Sequence, residues 1–220
     1  MNAISKLSRR SFLVGTAATA GGLSLGFHVP FAAAAGDLPP EVNAWVVVKP
    51  DDTILIRIAR SEMGQGSLTG LAQLVAEELA CDWSKVTTEY PTPGQNLARD
   101  NAWGDMSTTG SRAIRRSHEY VRQGGATARE MLVAAAAEQW SVPASECSAA
   151  SSIITHRPSG RTVTYGQVAD AAARQTPPAE ITLKDPKDWT IAGKPLPRLD
   201  TVDKLTGKQK YGIDLTQPNM

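Results

Sequence analysis

Cysteine is scarce in this chain: Cys81 and Cys147 are the only two among 220 residues. Two thiols cannot ligate a four-cysteine iron–sulfur cluster, and no C-x-x-C spacing is present. The three histidines, His28, His118 and His156, are scattered without metal-ligand spacing, so the sequence shows no metal site of its own. Neither sign of charge dominates. With 23 basic and 22 acidic residues the formal net charge is +1, and no basic patch alternates with aromatics. That balance gives no support for nucleic-acid binding. Long apolar runs are missing too. Residues 14–27 are short and rich in Gly, Ala and Thr, which argues against a bilayer span of about 20 residues. Local spacing shows no Ser-His-Asp or Cys-His arrangement, and no carboxylate pair stands out as an acid–base couple.

What is present is an ordinary globular composition, 41% hydrophobic and 20% charged, in a length that holds one domain or two small ones. The N-terminus reads as an export signal. Ser8-Arg9-Arg10-Ser11-Phe12-Leu13 is a twin-arginine pattern with Lys6 nearby, followed by the modest apolar run and by Ala32-Ala33-Ala34-Ala35. A basic start, a short apolar middle and small residues at the end predict a signal over residues 1–35, cleaved after Ala35. Twin-arginine export generally carries folded proteins, often with a cofactor inside, and the expected location is periplasmic. In that compartment Cys81 and Cys147 could pair, although nothing in the sequence shows that they meet.

The mature chain is organised around Glu62-Met63-Gly64-Gln65-Gly66-Ser67-Leu68-Thr69. Before it, Trp45-Val46-Val47-Val48 and the alternating residues 53–58 predict a β-hairpin about Pro50-Asp51-Asp52. After it, Leu68, Leu71, Ala72, Val75 and Leu79 recur at helical spacing and predict a helix over 68–80. Glycines in the intervening turn let the backbone approach a ligand closely. The first N–H groups of the helix suit an anion such as a pyrophosphate. Gln65 adds two donors and an acceptor. Glu62 is read as a strand-end carboxylate that orients neighbouring backbone, and no base role is assigned to it. An ordinary strand-turn-helix corner is the other reading of this spacing, because G-x-G is a weak pattern.

Residues 85–90 read as a short strand and 91–105 as a loop. Ser107-Thr108-Thr109-Gly110-Ser111-Arg112 then repeats the small-residue pattern ahead of a helix predicted over 112–140, with Thr109 or Ser111 as its N-cap. The two turns could converge on one anionic ligand. The candidate binding residues are therefore Gly64, Gln65, Gly66, Thr69, Thr109, Gly110, Ser111 and Arg112. Gly124-Gly125 either interrupts the long helix or lets it pack closely. His118 is expected as a hydrogen-bonded core histidine, and Arg115, Arg116, Arg122 and Arg129 as a solvated or subunit-facing surface. A hairpin is predicted from 152–156 and 161–164 around Pro158-Ser159-Gly160, with a short helix over 165–174. Beyond Thr176 the chain is rich in Pro and Lys without periodicity, which reads as an extended connector.

Glu62-Met63-Gly64-Gln65-Gly66 with Thr69, then Ala76-Glu77-Glu78-Leu79, then Thr109-Gly110-Ser111-Arg112, resemble the molybdopterin-binding region of the xanthine dehydrogenase/aldehyde oxidase superfamily. The twin-arginine leader, and the run Asp203-Lys204-Leu205-Thr206-Gly207 through Asp214, are similar to one branch of it. That branch holds the beta (large) subunits of isoquinoline 1-oxidoreductase and of related bacterial aldehyde and nicotinate-type dehydrogenases. The resemblance implies an α/β (α+β) fold, with a leader over 1–35 and part of the molybdopterin-binding domain over 36–175. A connector over 176–202 and the start of an α/β-hammerhead domain over 203–220 would follow.

The resemblance further implies a molybdenum hydroxylase that oxidises an N-heterocycle or an aldehyde with oxygen from water. Its electrons would pass to a separate small subunit with two [2Fe–2S] clusters. A cytochrome c subunit is a further candidate partner, and partners could hold the complex at the membrane. The implied cofactor is molybdopterin with molybdenum, in the cytosine dinucleotide form. Gln65 would sit beside the molybdenum ligands with Gly64 and Gly66 against the pterin, and Thr69 and the turn of Thr109, Gly110, Ser111 and Arg112 would add contacts. In that family the base is a glutamate near the end of a much longer subunit. The chain is thus expected to be an N-terminal fragment without a catalytic residue of its own. A non-catalytic exported binding or scaffold module, or an inactive remnant, stays open as the alternative.

Overall fold

β-branched residues build the first sheet. The structure is a computed structural model that describes residues 41–218; the predicted leader and its cleavage region lie outside them. Val46–Val48 (β1) pairs antiparallel with Ile54–Arg57 (β2), Val46 opposite Ile56, as the hairpin pattern predicts. Val86–Glu89 (β3) adds to the other edge of β2 in parallel, Ile54 opposite Val86. A parallel neighbour requires a crossover. Here the crossover carries helix α1, Ser67–Leu79, which buries the predicted stripe of Leu68, Leu71, Ala72, Val75 and Leu79.

The stretch 91–105 is not a plain loop. Thr92 Oγ1 accepts from the Gln95 N–H and Gln95 Oε1 accepts from the Thr92 N–H, a reciprocal cap that starts α2, Pro93–Leu97. Trp103, just beyond it, is fully buried, and its Nε1 donates to the carbonyl of Ala44 at 3.1 Å.

The long helix predicted over 112–140 is broken. Arg112–Arg115 (α3) stops short, and His118–Trp140 (α4) begins after a buried Ser117. The break lets the Ser117 hydroxyl face inward, 2.6 Å from the Tyr120 hydroxyl and 3.0 Å from Arg60 Nε. Gly124 and Gly125 do not interrupt α4; they set how closely it packs. A Cβ on Gly124 would lie 2.6 Å from Trp45 Cδ1, and one on Gly125 would overlap the carbonyl oxygen of Val75 on α1. His118 is half-buried beside the Trp189 ring, not in the core, because it stands at the first position of α4.

A second sheet follows. Ile153–His156 (β5) and Thr162–Thr164 (β6) form the predicted hairpin. Cys147–Ala150 (β4) adds to it as a strand that the sequence did not signal. Helix α5, Tyr165–Ala172, buries Tyr165, whose hydroxyl donates to the Leu79 carbonyl at 2.7 Å and ties this sheet to the end of α1. Cys81 and Cys147 are both free and buried, and burial pushes the Cys81 thiol up to about 12.

The stretch after α5 has little regular structure, yet it is fastened down. Two glutamates of α1, Glu77 and Glu78, are buried and accept from its backbone. Glu77 Oε2 receives the N–H groups of Thr190, Ile191 and Ala192, and Glu78 receives that of Lys184. Arg122 bridges Glu78 and the Lys184 carbonyl, and Arg129 donates to the Glu78 carbonyl. Of the four arginines expected at the surface, Arg122 is therefore buried and Arg129 half-buried, both drawn toward the buried Glu78. Thr201–Leu205 (α6) comes next. Among the described residues no helix is long and apolar enough to cross a membrane.

Candidate functional site

The first turn starts where β2 runs out. Gly64 and Gly66 adopt φ of 102° and 83°, the left-handed region that only glycine enters freely. A Cβ on either would meet nothing within 4 Å, so both present a bare face to open space. Gly66 is the N-cap of α1 and has no side chain to accept from the helix. Glu62 supplies the missing acceptor. Its Oε1 takes the N–H groups of Gly64 at 2.8 Å and Gly66 at 2.9 Å, and its Oε2 takes that of Leu68 at 3.0 Å.

The Glu62 side chain is 6% exposed, and Arg198 Nη2 lies 3.0 Å from Oε1. Arg198 Nη1 also donates to the Gly64 carbonyl at 3.0 Å. Burial pushes the Glu62 carboxyl up, but the N–H groups of Gly66, Leu68 and Gly64, with the charge of Arg198, bring it below the ordinary value. The anion at the start of α1 is thus the chain's own carboxylate. That fits the orienting role read from the sequence, and of the first N–H groups of α1 it takes that of Leu68.

Gln65 is also turned onto its own backbone. Its Oε1 accepts from the Met63 N–H at 2.6 Å, and its Nε2 donates to the Ser61 carbonyl and to Ser67 Oγ. Both amide hydrogens are spent, and one acceptor position of Oε1 remains. Thr69 is buried, and its Oγ1 accepts from the Leu199 N–H at 3.0 Å, so it faces the 176–199 stretch and not the turn.

The second turn stands beside the first. The Ser61 N–H donates to Thr108 Oγ1 at 2.9 Å. Gly110 and Ser111 have φ of 64° and 56°, and Ser111 is the N-cap of α3 without a capping side-chain bond. Thr109 Oγ1 shares a 3.3 Å hydrogen bond with Ser107 Oγ. Arg112 donates to Asp105 Oδ2 and Ser107 Oγ. One residue that the sequence reading missed, Arg60, holds the two turns together. It is 4% exposed and donates to Asp105, the Ser107 carbonyl, Ser117 and Tyr120. Arg60, then the Ser107 N–H, hold the Asp105 carboxyl down at about 2. An arginine at a strand end carries no signal of such convergence, since its four acceptors lie 45 to 60 residues away.

A cleft of about 790 Å³ opens beside the first turn, lined among others by Met63, Gly64, Tyr90, Asp200, Lys204 and Tyr211. Of the eight candidate residues Gly64 alone lines it. Gln65, Gly66 and the turn from Thr109 to Arg112 lie outside that lining, as does the buried Thr69. Arg198, and then Lys204, bring the Asp200 carboxyl to about 2 against the opposing effect of burial.

Two small-residue turns thus adjoin, each opening a helix in a mixed α+β frame. The family described as molybdopterin cofactor-binding domain matches residues 7–210, and the chain belongs to that family. It is similar to isoquinoline 1-oxidoreductase subunit beta of Brevundimonas diminuta, 32% identical over 257 aligned positions that cover 98% of this chain and 32% of that protein. It is also 32% identical to the membrane-bound aldehyde dehydrogenase (pyrroloquinoline-quinone) of Gluconacetobacter polyoxogenes, covering 94% of this chain and 28% of that one. The chain therefore spans roughly a third of the length of these curated relatives. Among solved structures, quinoline 2-oxidoreductase from Pseudomonas putida 86 aligns with 57% of this chain and 15% of its own, at 16% identity and a TM-score of 0.44.

Proposed function

We propose that the chain is part of the molybdopterin-binding subunit of a periplasmic molybdenum hydroxylase that oxidises an N-heterocycle or an aldehyde with oxygen from water. The observation that carries this reading is the contact between the two turns, Ser61 N–H to Thr108 Oγ1, in a chain that belongs to the molybdopterin family. In the proposed division, residues 1–35 are a twin-arginine leader and 36–175 part of the cofactor domain. Residues 176–202 are a connector, and 203–220 start a hammerhead domain.

The exposed residues fit the group. Gly64, Gly66 and Gly110 each leave open space where a Cβ would stand, which lets a planar ring system lie against the backbone. Gln65 keeps one acceptor position, Ser111 has no capping bond to hold its hydroxyl, and Arg112, paired with Asp105, braces the second turn. These residues, with Thr109, would hold the cofactor, while Thr69 acts through the Leu199 N–H. When bound, molybdopterin with molybdenum supplies a two-electron redox centre. The cytosine dinucleotide form, a small subunit with two [2Fe–2S] clusters and a cytochrome c subunit complete the proposal. The second relative's name carries pyrroloquinoline quinone; the pterin is preferred because the family match spans residues 7–210.

The test is to purify the full-length complex and measure molybdenum and released pterin per polypeptide. Stoichiometric amounts of both are expected. Gln65→Ala should lower turnover by about tenfold, the scale on which groups behind a metal centre act, with little change in the unfolding midpoint. Normal turnover in that variant would remove Gln65 from the site.

A further inference from the structure

We propose that Glu62 is a positioning residue for the cofactor turn, a role that rests on the molybdopterin reading above. Its carboxylate stands where a ligand anion would stand at the start of α1. Three N–H groups, from Gly64, Gly66 and Leu68, converge on its two oxygens. Turned toward Glu62, those N–H groups cannot also serve a phosphate. The turn therefore meets its ligand with bare glycine faces and the Gln65 amide oxygen, and not with those three donors.

The same carboxylate fixes that Gln65 conformation. The Gln65 amide bonds to Met63 N–H and Ser61 C=O, and both bonds require the turn to stay closed between residues 61 and 67. Glu62 closes it by spanning from Gly64 to Leu68. Arg198 then grips Glu62 and the Gly64 carbonyl together, so the turn is braced from both sides of Gly64. Asp200 and Glu62 both hold Arg198, which leaves its guanidinium little freedom to reach a ligand.

The experiment compares Glu62→Ala, Glu62→Asp and the unchanged sequence in the full-length complex, each purified with and without formate. Pterin per folded polypeptide and the thermal midpoint are both read. Formate is the probe because it can place a carboxylate against the vacated N–H groups. Glu62→Ala is expected to carry about tenfold less pterin, the scale of positioning groups behind a metal centre, and formate is expected to restore it. Glu62→Asp, one methylene short of Leu68, should fall between the two. Wild-type pterin content in Glu62→Ala overturns the proposal. Formate that raises the midpoint of Glu62→Ala without raising its pterin assigns Glu62 to folding alone and also overturns it. If Glu62→Ala does not fold, wild-type pterin content in Glu62→Asp has the same force. Absence of pterin from the unchanged complex is a different failure: it sinks the molybdopterin reading, and the positioning role with it.

Discussion

Replacing Glu77 with alanine removes the carboxylate that fastens residues 190–192 to α1. Its side chain is 1% exposed. Oε2 accepts from the N–H groups of Thr190, Ile191 and Ala192 at 2.8, 2.6 and 3.1 Å, and Lys184 Nζ lies 2.8 Å from Oε1. Each hydrogen bond to a charged group contributes about 1.5–3 kcal/mol net. The four share one carboxylate, so their values do not add. A sounder scale is the roughly 3–5 kcal/mol lost when one partner of a buried pair is removed. The Lys184 side chain is 25% exposed, so water recovers part of its solvation. That places the expected cost of Glu77→Ala near ~3 kcal/mol, a large share of the ~5–15 kcal/mol that stabilises a typical domain. Glu77→Gln keeps the shape and one acceptor oxygen for the three N–H groups but loses the charge and turns an NH2 group toward Lys184, and should cost about 1–2 kcal/mol. Urea unfolding measures both. Limited proteolysis below the main transition should show new cleavage between residues 176 and 199 in Glu77→Ala. A cost under about 1 kcal/mol, the size of an exposed ion pair, would show that this carboxylate does not hold the segment.

Gly125→Ala should destabilise by about 1–3 kcal/mol through overpacking, although the same change in an exposed helix stabilises by roughly 0.5–1 kcal/mol. Its Cβ would overlap a backbone carbonyl on α1, which cannot rotate away as a side chain can. Thermal unfolding checks it, and a raised midpoint would mean that α1 and α4 are farther apart. Acid stability is the third expectation. Glu62, Glu77 and Asp200 all titrate below their ordinary values in the folded chain, Asp200 at about 2. A lowered carboxyl contributes its full stability above the unfolded pKa and loses it as pH falls through the folded one. Stability should therefore be level above about pH 5 and fall from there toward pH 2. Urea midpoints unchanged down to pH 2 would contradict that account.

Much of the local structure was legible in the sequence, because it depends on short-range periodicity. The β1–β2 hairpin, the α1 stripe and the β5–β6 hairpin follow from alternation or helical spacing. The α2 helix was missed because its signal is a polar cap, Thr92 with Gln95, and not an apolar stripe. The break before α4 was missed because the arginines around Ser117 continue a helical pattern without interruption, and the reason for the break is the distant Arg60.

The site divides in the same way. Sequence alone placed two glycine-bearing turns ahead of two helices, since glycine at positive φ is a local requirement, and it placed Glu62 as an orienting carboxylate. Tertiary structure decided what those groups touch. It put Glu62, and not an outside anion, on the N–H groups of Gly64, Gly66 and Leu68. It turned Thr69 toward Leu199, brought the turns together through Arg60, and buried Glu77 and Glu78 under residues 184–192. The last three depend on a partner 40 or more residues away; the Glu62 contacts are local, two to six residues along the chain, and what braces them is Arg198, 136 residues on. The geometry of a charged side chain is set by which acceptors and donors the fold delivers to it, and periodicity carries no record of that.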